Sequence, residues 1–382
     1  MAYKVQPGVI GCAIRPAIEG RDRSLEEIMY DTAQMALRDA GITIDDIDGI
    51  VVGANDQFDG RAISVMMASG PVGGVDRDLL STPSASEHAF VLGALRVASG
   101  QYRTQLVMAW SPTEVSSLSE AQRLAADPYF HRALPLDELS AHALQASALE
   151  SALPGAGAIA AAVAEKNRRH GASAYAGAAP HAGTARWPLT AAMTTQPVTG
   201  AVALVLAAPE FIAERGCKDV AWLHGMGWAT EPSFLGDRDL ATAPALQAAA
   251  QQAYKAAGIS DPATALDIAE ITDATPYAEL LAYEALSLCP RGEWKARLDD
   301  GSFAKGGRLP VNLSGGVLTH NPVFCTGLIR IAEIANQVRG KAGAHQHPNA
   351  KRGIAHAGSG FAMQYQTAVV LGRASLGTGA AA

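Results

Sequence analysis

The chain has few cysteines, few aromatic residues and no uninterrupted apolar run of the about 18 residues that a membrane-spanning helix needs. Its four cysteines are spread over 382 residues and form no CxxC pair. That spacing argues against a zinc site and predicts free thiols in a reducing compartment. The first residues lack a charged head followed by a long apolar stretch, so no signal peptide is predicted.

Charge and composition exclude several classes of protein. The formal net charge is −7, which argues against a nucleic-acid or membrane-surface binder. Hydrophobic residues make up 48% and charged residues 18%, which excludes a disordered or collagen-like chain. A chain of this length can bury a large core without disulfides. We therefore expect a cytoplasmic enzyme or enzyme subunit without a metal site.

Strand-like apolar runs alternate with helical stretches along the sequence. Residues 8–14 read as a strand, and residues 25–40 as an amphipathic helix with Ser24 as its N-cap and Glu27 three positions later. Gly41 follows where a helix-terminating glycine belongs. This alternation is typical of an α/β protein with a mostly parallel sheet.

The order of elements is repeated within the chain. Residues 33–54 and 250–274 each contain a helix, the letters Ala-Gly-Ile, a short acidic connection and a strand. Residues 84–110 and 323–372 repeat a helix, a glycine and a strand. Two similar α/β halves indicate an internal duplication, with residues 111–195 as an insertion that covers one face. Chance similarity between alanine-rich helices is the alternative.

Three strings carry a family resemblance. They are DIAEITDATPYAELLAYEALSLCPRG at 267–292, GRLPVNLSGGVLTHNPVFCTGLIRIAEIANQVRG at 307–340 and TQPVTGAVALVLAAPE at 195–210. They resemble the thiolase superfamily, and within it the sterol-carrier-protein type and its lipid-transfer-protein-like relatives. The second half of the chain matches in letters, whereas the first half matches mainly in layout.

The resemblance implies a thiolase-like α/β fold with two similar βαβαβαββ lobes in αβαβα layers, each lobe with a five-stranded sheet. The first lobe would comprise residues 1–110 and 196–222, the insertion residues 111–195, and the second lobe residues 223–382. The resemblance also implies a homodimer that acts on acyl-CoA. Coenzyme A would then be part of the substrate, and no tightly bound cofactor is expected.

The nucleophilic cysteine of the family is missing from its expected position. In thiolases it lies at the N-terminus of a buried helix, where the positive helix end stabilises the thiolate. No cysteine occurs between Cys12 and Cys217, and Ser84 is the best positional match, within one residue. A serine hydroxyl is a weak nucleophile unless a base activates it. Ser84 could instead be a helix cap after Pro83. His88, four residues later, could face Ser84 or be a buried structural histidine.

The remaining family motifs are altered too. The His-Asp-Cys-Phe motif is replaced by a string in which only Asp273 is kept, and the Gly-His-Pro motif reads His320-Asn321-Pro322. In the family's fourth motif, the histidine is retained as His356. The same resemblance predicts glycines that let the backbone approach a thioester or pantetheine closely. They are Gly315, Gly316, Gly358 and Gly360.

These losses leave two hypotheses for the function. In the first, the chain carries out aldol-type cleavage or formation of a C–C bond on a β-hydroxyacyl-CoA, which needs a base and enolate donors but no acyl-enzyme. Tyr277, its pKa lowered by an imidazolium, would be the base, and Asn321 an enolate donor. The candidate catalytic residues are Asp273, Tyr277, His320, Asn321, His356 and Ser84.

In the second hypothesis the chain is a non-catalytic thiolase-like or acyl-CoA-binding subunit. It would pair with a cysteine-bearing chain or with a small OB-fold and zinc-ribbon protein. A filled cavity would favour this second hypothesis, and polar groups converging in an open cavity would favour the first.

Overall fold

The computed structural model describes residues 5–17, 23–60, 62–112, 117–175 and 183–376. Nine strands are found in this part of the chain. They are β1 (Gly8–Arg15), β2 (Gly49–Gly53), β3 (Asp78–Thr82), β4 (Thr104–Ser111), β5 (Gly200–Ala207), β6 (Ala221–Thr230), β7 (Ile268–Ile271), β8 (Arg352–Ser359) and β9 (Tyr365–Gly372).

Thirteen α-helices accompany the strands in the described ranges. They are α1 (Leu25–Ala40), α2 (Asp56–Asp59), α3 (Ser64–Ser69), α4 (Ser86–Ala98), α5 (Leu118–Ala125), α6 (Glu138–Ala152), α7 (Ala156–Ala174), α8 (Pro209–Arg215), α9 (Pro244–Ala257), α10 (Pro262–Ala265), α11 (Pro276–Ala285), α12 (Trp294–Asp299) and α13 (Thr326–Arg339).

Local sequence signals set the ends of these helices. The Ser24 side chain accepts a hydrogen bond from the Glu27 backbone, and the Glu27 side chain accepts one from the Ser24 backbone, so α1 begins with the predicted capping box. Gly41 ends the same helix at a φ of 71°, a conformation that glycine adopts without steric cost.

The strands form one continuous sheet in the order β3-β2-β4-β5-β1-β6-β9-β8-β7. The two halves join where β1 pairs antiparallel with the start of β6, through Gly8 opposite Trp222 and Val9 opposite Ala221. The predicted lobe boundary between residues 222 and 223 lies within β6.

The strand order on the two sides of this junction is the same when it is read outward. On one side the order is β1, β5, β4, β2 and β3, and on the other it is β6, β9, β8 and β7. The corresponding pairs also share direction, since the first two pairings outward are antiparallel and the next is parallel. The mixed α/β fold with two similar halves is therefore confirmed. The expectation of a mostly parallel sheet is wrong, because five of the eight described strand pairings are antiparallel.

The number of strands in the second half differs from the expectation. The resemblance implies a fifth strand there, but among the described residues four strands of this half belong to the sheet. An isolated parallel bridge between Ala269 and Val311 takes the place of the fifth. The chain turns away after Val311 because Asn312 has a φ of 55°, which ends extended pairing.

Two buried helices connect the halves. Helices α4 and α13 pack against each other, and α13 also contacts strands of both halves. The Leu328 backbone N–H donates to Ser86 Oγ at 3.1 Å, which fixes the first turn of α13 against the first turn of α4. Helix α13 is buried on nearly all sides, as expected for a helix at the centre of a large core.

The insertion supplies α5, α6 and α7. Helices α6 and α7 pack against α11 of the second half, and their apolar residues join its core. Within the described ranges, no helix combines the length and hydropathy that crossing a membrane requires.

Candidate functional site

A cavity of about 670 Å³ opens where the two halves and the insertion meet. It lies at the carboxyl ends of β3, β7 and β8, because the residues that follow these strands line it. Ligands of α/β proteins bind at such strand ends. The polar residues from the two halves that line the cavity are Asn55, Ser84, Glu87, Gln196, Ser233, Thr272, Thr275, Asn321, Thr326, Ser359, Gln364 and Tyr365.

Ser84 and His88 form a hydrogen-bonded pair at this cavity. Ser84 Oγ lies 2.7 Å from His88 Nδ1, and Ser84 is an exposed lining residue. Helix α4 begins at Ser86, and its N-cap is Ala85, whose side chain cannot cap. The alternative interpretation, in which Ser84 is the N-cap of this helix, is therefore wrong. The Ser84 hydroxyl contacts the His88 imidazole instead.

Glu87 is a buried carboxyl group beside this pair. Its Oε1 accepts a hydrogen bond of 2.9 Å from Ser359 Oγ at the end of β8. Burial raises the pKa of Glu87, and the neighbouring His88 partly offsets that rise. Because Glu87 accepts this hydrogen bond from Ser359, its carboxyl group links α4 to β8 across the two halves.

The second half contributes Thr275 and Asn321. Thr275 is the N-cap of α11 and accepts the Ala278 backbone N–H at 3.3 Å. Asn321 is fixed through its backbone, which accepts the Val198 N–H at 2.9 Å, and it pairs with Pro197 in an isolated bridge. Both residues line the same cavity as Ser84.

The insertion forms another wall of the cavity. It contributes His131 and His142, and the His131 ring packs at 5.6 Å from the Phe234 ring and at 6.0 Å from the Phe361 ring. Acidic residues also lie on this wall, but no lysine or arginine is among the described lining residues. The interior therefore suits an uncharged chain better than a phosphate.

Asp273 does not line the cavity. It is fully buried, and its carboxylate accepts the Val317 N–H and the Asn167 amide, each at 2.6 Å. Burial and the carboxylate of Glu279 raise the pKa of Asp273. The expectation that Asp273 and Tyr277 share one cavity face is corrected, because the chain folds Asp273 inward against α7.

Tyr277 is also turned away from the lining. Its hydroxyl donates to Glu150 Oε1 of α6 at 2.9 Å, and burial together with this carboxylate raises its pKa. The expectation that an imidazolium lowers the pKa of Tyr277 is wrong, since its charged neighbour is an acid. Tyr277 lies in the first turn of α11, which packs on the insertion, whereas Asp273 precedes this helix, so the two residues do not share a helical face.

Two of the predicted histidines lie beneath the cavity and do not line it. His320 is buried, and its ring packs edge-on against Tyr175 at 5.4 Å. His356 is buried on β8, and its Nε2 lies 2.7 Å from Gln366 Oε1. Burial lowers the pKa of His356 to about 4, so the imidazole is neutral at pH 7.

The predicted glycines divide into two pairs. Gly358 and Gly360 line the cavity. Gly315 and Gly316 do not line it, and both have positive φ, at 90° and 67°. A Cβ on Gly316 would lie 2.2 Å from an Asp273 oxygen. These two glycines are thus required by the close approach of the loop to Asp273 and α7.

The four cysteines do not supply a thiolate to the cavity. None is a lining residue, although Cys325 lies between Phe324 and Thr326, which are. Burial raises the pKa of the Cys325 thiol well above its ordinary value. Burial also raises the pKa of Cys12 to about 11 and that of Cys289 to about 11. The described part of the chain holds no cluster of three or more potential metal ligands.

The sequence interpretation missed Glu87, Thr275 and Ser359 as lining residues. Glu87 had one detectable signal, a carboxyl group in the first turn of a mainly apolar helix. Thr275 had another, since a threonine before proline at a helix start is a typical cap. Ser359 had none, because its contact with Glu87 joins residues that are 272 positions apart.

A known family model matches the second half of the chain. Residues 228–373 match the family model described as thiolase C-terminal domain-like. This range begins near the end of β6 and ends just after β9, so it contains β7, β8 and β9 of the second half.

Curated relatives match over a similar length. Sterol carrier protein 2 of Oryctolagus cuniculus is 34% identical over 163 residues, which is 41% of this chain and 29% of that protein. Benzoylsuccinyl-CoA thiolase subunit BbsB of Thauera aromatica is 32% identical over 160 residues, 42% of this chain and 41% of that protein. The chain thus matches less than half of the length of either relative.

The fold likeness extends over the whole chain. The solved structure of the Ltp2-ChsH2(DUF35) aldolase superposes with a TM-score of 0.79, at 21% sequence identity, and covers 97% of this chain and 99% of that one. A likeness at this identity establishes a common fold.

Proposed function

Because the chain belongs to the thiolase superfamily and is similar to its sterol-carrier-protein type, we propose that it acts on acyl-CoA thioesters. The reaction proposed is aldol-type cleavage or formation of the Cα–Cβ bond of a β-hydroxyacyl-CoA. The observation that carries this proposal is the open cavity with converging polar groups and no cysteine in its lining.

The missing thiolate argues against Claisen chemistry. In thiolases the acyl group is carried by a cysteine thiolate, and burial raises the pKa of each of the four thiols here. Retro-aldol cleavage needs only a base for the β-hydroxyl proton and donors for the enolate oxygen. We expect no acetoacetyl-CoA thiolysis at an enzymatic rate, on the order of 1–1000 per second.

The Ser84–His88 pair is the proposed proton relay. The β-hydroxyl passes its proton to Ser84 Oγ while Ser84 passes its own proton to His88 Nδ1, 2.7 Å away. The Cα–Cβ bond breaks, the β-carbon leaves as a carbonyl compound, and the electron pair forms the thioester enolate. The proton then returns to Cα. This role requires the His88 tautomer with its proton on Nε2.

Asn321 is the proposed donor to the enolate oxygen. Its backbone is held by the bridge to Pro197 and the hydrogen bond from Val198, so its amide is presented by a fixed segment. A preorganised neutral donor stabilises charge that develops only in the transition state. Asp273, Tyr277, His320 and His356 support the surrounding structure in this proposal instead of touching substrate.

The lining suggests which part of the substrate enters. Apolar side chains suit the acyl and pantetheine segments, whereas the absence of cationic residues from the described lining leaves the CoA phosphates outside the cavity. Gly358 and Gly360 would let the backbone approach the pantetheine closely.

The test is an assay of β-hydroxyacyl-CoA cleavage that measures the released carbonyl product. Wild type should cleave at least one member of an acyl-CoA panel, and Ser84→Ala and Asn321→Leu should lose most of that rate. Ser81→Ala is the matched control, because Ser81 is exposed on β3 and does not line the cavity. Full activity in both cavity variants would contradict the assignment.

A non-catalytic subunit is the alternative. It is favoured if wild type, with any co-purifying partner present, cleaves no member of the panel. The Ltp2-ChsH2(DUF35) aldolase is named for two components, and BbsB is named as a subunit. We therefore propose to search for a partner by mass spectrometry of the purified complex. A small OB-fold and zinc-ribbon protein is among the partners to be sought.

Self-association is a further part of the proposal. Strand β3 is the outer strand of the sheet and pairs only with β2 among the described residues, and Leu80 on it is 42% exposed. An edge strand of this kind is a template for pairing with another chain. We propose a homodimer, and sedimentation that shows a stable monomer at micromolar concentration would contradict it.

A further inference from the structure

We propose that Ser84 also acts as a covalent nucleophile, with His88 as its general base, and that the chain hydrolyses simple acyl thioesters and activated esters through an acyl-serine. This inference shares the cavity of the proposed function and, for CoA substrates, depends on the same acyl-CoA binding. Its substrates are acyl groups without a β-hydroxyl, which an aldol reaction cannot cleave.

The geometry of the pair is that of an activated nucleophile. A nucleophile and a base within about 2.6–3.2 Å of each other are the diagnostic arrangement, and Ser84 Oγ lies 2.7 Å from His88 Nδ1. The hydroxyl is not used as a helix cap, because the N-cap position of α4 is Ala85. It is therefore available to an acyl group that enters the cavity.

The segment that carries Ser84 is held on both sides. Asn55 Nδ2 donates to the Pro83 carbonyl at 2.8 Å, and Thr82 Oγ1 donates to the Ala85 carbonyl at 3.2 Å. These bonds restrict the turn between β3 and α4, so the hydroxyl is presented at a defined place. A fixed nucleophile gains rate because orientation is settled before the reaction.

The environment of the pair favours a negative tetrahedral intermediate. Helix α4 is 13 residues long, begins two residues after Ser84 and has no side-chain cap at its N-terminus. The positive end of the helix dipole therefore lies beside the reacting carbonyl. The His88 ring is also packed edge-on against the Tyr365 ring at 6.0 Å, which limits its rotation.

The pair lacks the third member of a catalytic triad. Glu87 is adjacent in sequence, but its carboxyl group accepts the Ser359 hydroxyl, and no described bond joins it to His88. A triad acid orients the imidazole and stabilises the imidazolium. We therefore expect slow turnover in which the acyl-enzyme accumulates.

The reaction is balanced with water as the only co-reactant. Ser84 Oγ attacks the thioester carbonyl carbon while its proton moves to His88 Nδ1. The C–S bond breaks, the CoA thiolate takes that proton, and the acyl group remains on Ser84. His88 then removes a proton from water, and the resulting hydroxide attacks the acyl-serine carbonyl carbon. The ester C–O bond breaks while His88 returns that proton to Ser84 Oγ, and the products are a carboxylic acid and the free serine.

The experiment uses the full chain with two probes, butyryl-CoA and p-nitrophenyl butyrate. Neither has a β-hydroxyl, so neither reports aldol cleavage, and the second needs no CoA binding. Intact-protein mass spectrometry after rapid acid quench should show one added butyryl group, located to the peptide that contains Ser84. Release of free thiol or nitrophenol should show an initial burst of about one equivalent, as accumulation of an acyl-enzyme requires.

Three variants separate the outcomes. Ser84→Ala should abolish the adduct, His88→Gln should lower the acylation rate by about 10²–10⁴-fold, and Ser81→Ala should leave both unchanged. Far-ultraviolet circular dichroism and a thermal melt confirm that each variant is folded. An adduct that persists in Ser84→Ala, or no adduct in wild type with either probe, overturns the proposal.

The two proposals can fail separately. If p-nitrophenyl butyrate acylates Ser84 but no β-hydroxyacyl-CoA is cleaved, the proposed function fails and this inference stands. If β-hydroxyacyl-CoA is cleaved but neither probe acylates the chain, Ser84 only relays protons, and the inference fails alone.

Discussion

The Tyr277 hydroxyl donates a hydrogen bond of 2.9 Å to Glu150 Oε1, which ties the first turn of α11 to the last turn of α6. This bond joins the second half of the chain to the insertion. It explains why Tyr277 does not face the cavity, since the ring lies in the core that α6, α7 and α11 share.

Tyr277→Phe should therefore affect stability more than activity. Loss of a hydrogen bond of this kind lowers the free energy of unfolding by about 0.5–1.5 kcal/mol, and the ring of phenylalanine keeps the packing. Urea denaturation gives the stability change, and the cleavage assay should show a rate close to wild type. A drop of about 100-fold in cleavage at unchanged stability would return Tyr277 to the catalytic site.

The sequence predicted the local elements and their repeated order along the chain well, because these depend on local signals. The Ser24 capping box and the Gly41 helix end were both readable from adjacent residues. Orientation of single side chains was not readable. Asp273 and Tyr277 were expected in the cavity, but their partners are Asn167 and Glu150, more than 100 positions away.

The missing strand has a similar physical cause. The family resemblance implies a fifth strand in the second half, and Val311 does form one parallel bridge. Tertiary contacts then bend the chain at Asn312, whose side chain accepts the Ile271 N–H at 2.6 Å and donates to Glu279 Oε2 at 2.7 Å. No local pattern could indicate that this side chain replaces the next strand pair.

Asn321→Asp should slow cleavage if Asn321 stabilises the enolate. An aspartate is almost isosteric with asparagine but places a negative charge where negative charge develops. Loss of one oxyanion donor costs about 10²–10³-fold in kcat, and repulsion would add to this. Steady-state kinetics should show the effect in kcat, with KM little changed. An unchanged kcat would remove Asn321 from the proposed site.

His356 predicts how stability responds to acid. Burial lowers its folded-state pKa from 6.5 to about 4, so the unfolded chain binds a proton more readily between these values. Its contribution to stability is therefore present above about pH 6.5 and is lost as the pH falls towards about 4, by about 1.4 kcal/mol for each unit of pKa difference.

His356→Gln is the corresponding test, because glutamine can still donate to Gln366 but does not titrate. Urea denaturation between pH 7 and about pH 4 should show a weaker loss of stability in the variant than in wild type. Ser81→Ala is the control. This residue is exposed and does not titrate, so its removal should leave the slope in this acidic range unchanged. Equal slopes for wild type and His356→Gln would contradict the assignment.

A buried ion pair joins α7 of the insertion to α11 of the second half. Lys166 Nζ of α7 lies 3.0 Å from Glu279 Oε1 of α11, and both side chains are buried. The Asn312 amide and the Tyr283 hydroxyl also donate to Glu279. This group of side chains holds α7 of the insertion against the second half. It lies beside Asp273, because Asn167 donates to both Asp273 and Glu279.

Lys166→Met should lower the free energy of unfolding by about 3–5 kcal/mol, because it leaves the Glu279 carboxylate buried without its cation. Adding Glu279→Gln removes that charge, so the double variant should be more stable than Lys166→Met alone. The control pair is Lys295→Met with Asp299→Asn, an exposed i,i+4 ion pair, which should change stability by less than about 1 kcal/mol. Urea denaturation of the variants measures the coupling. If Lys166→Met is as mild as Lys295→Met, the buried pair does not hold the insertion in place.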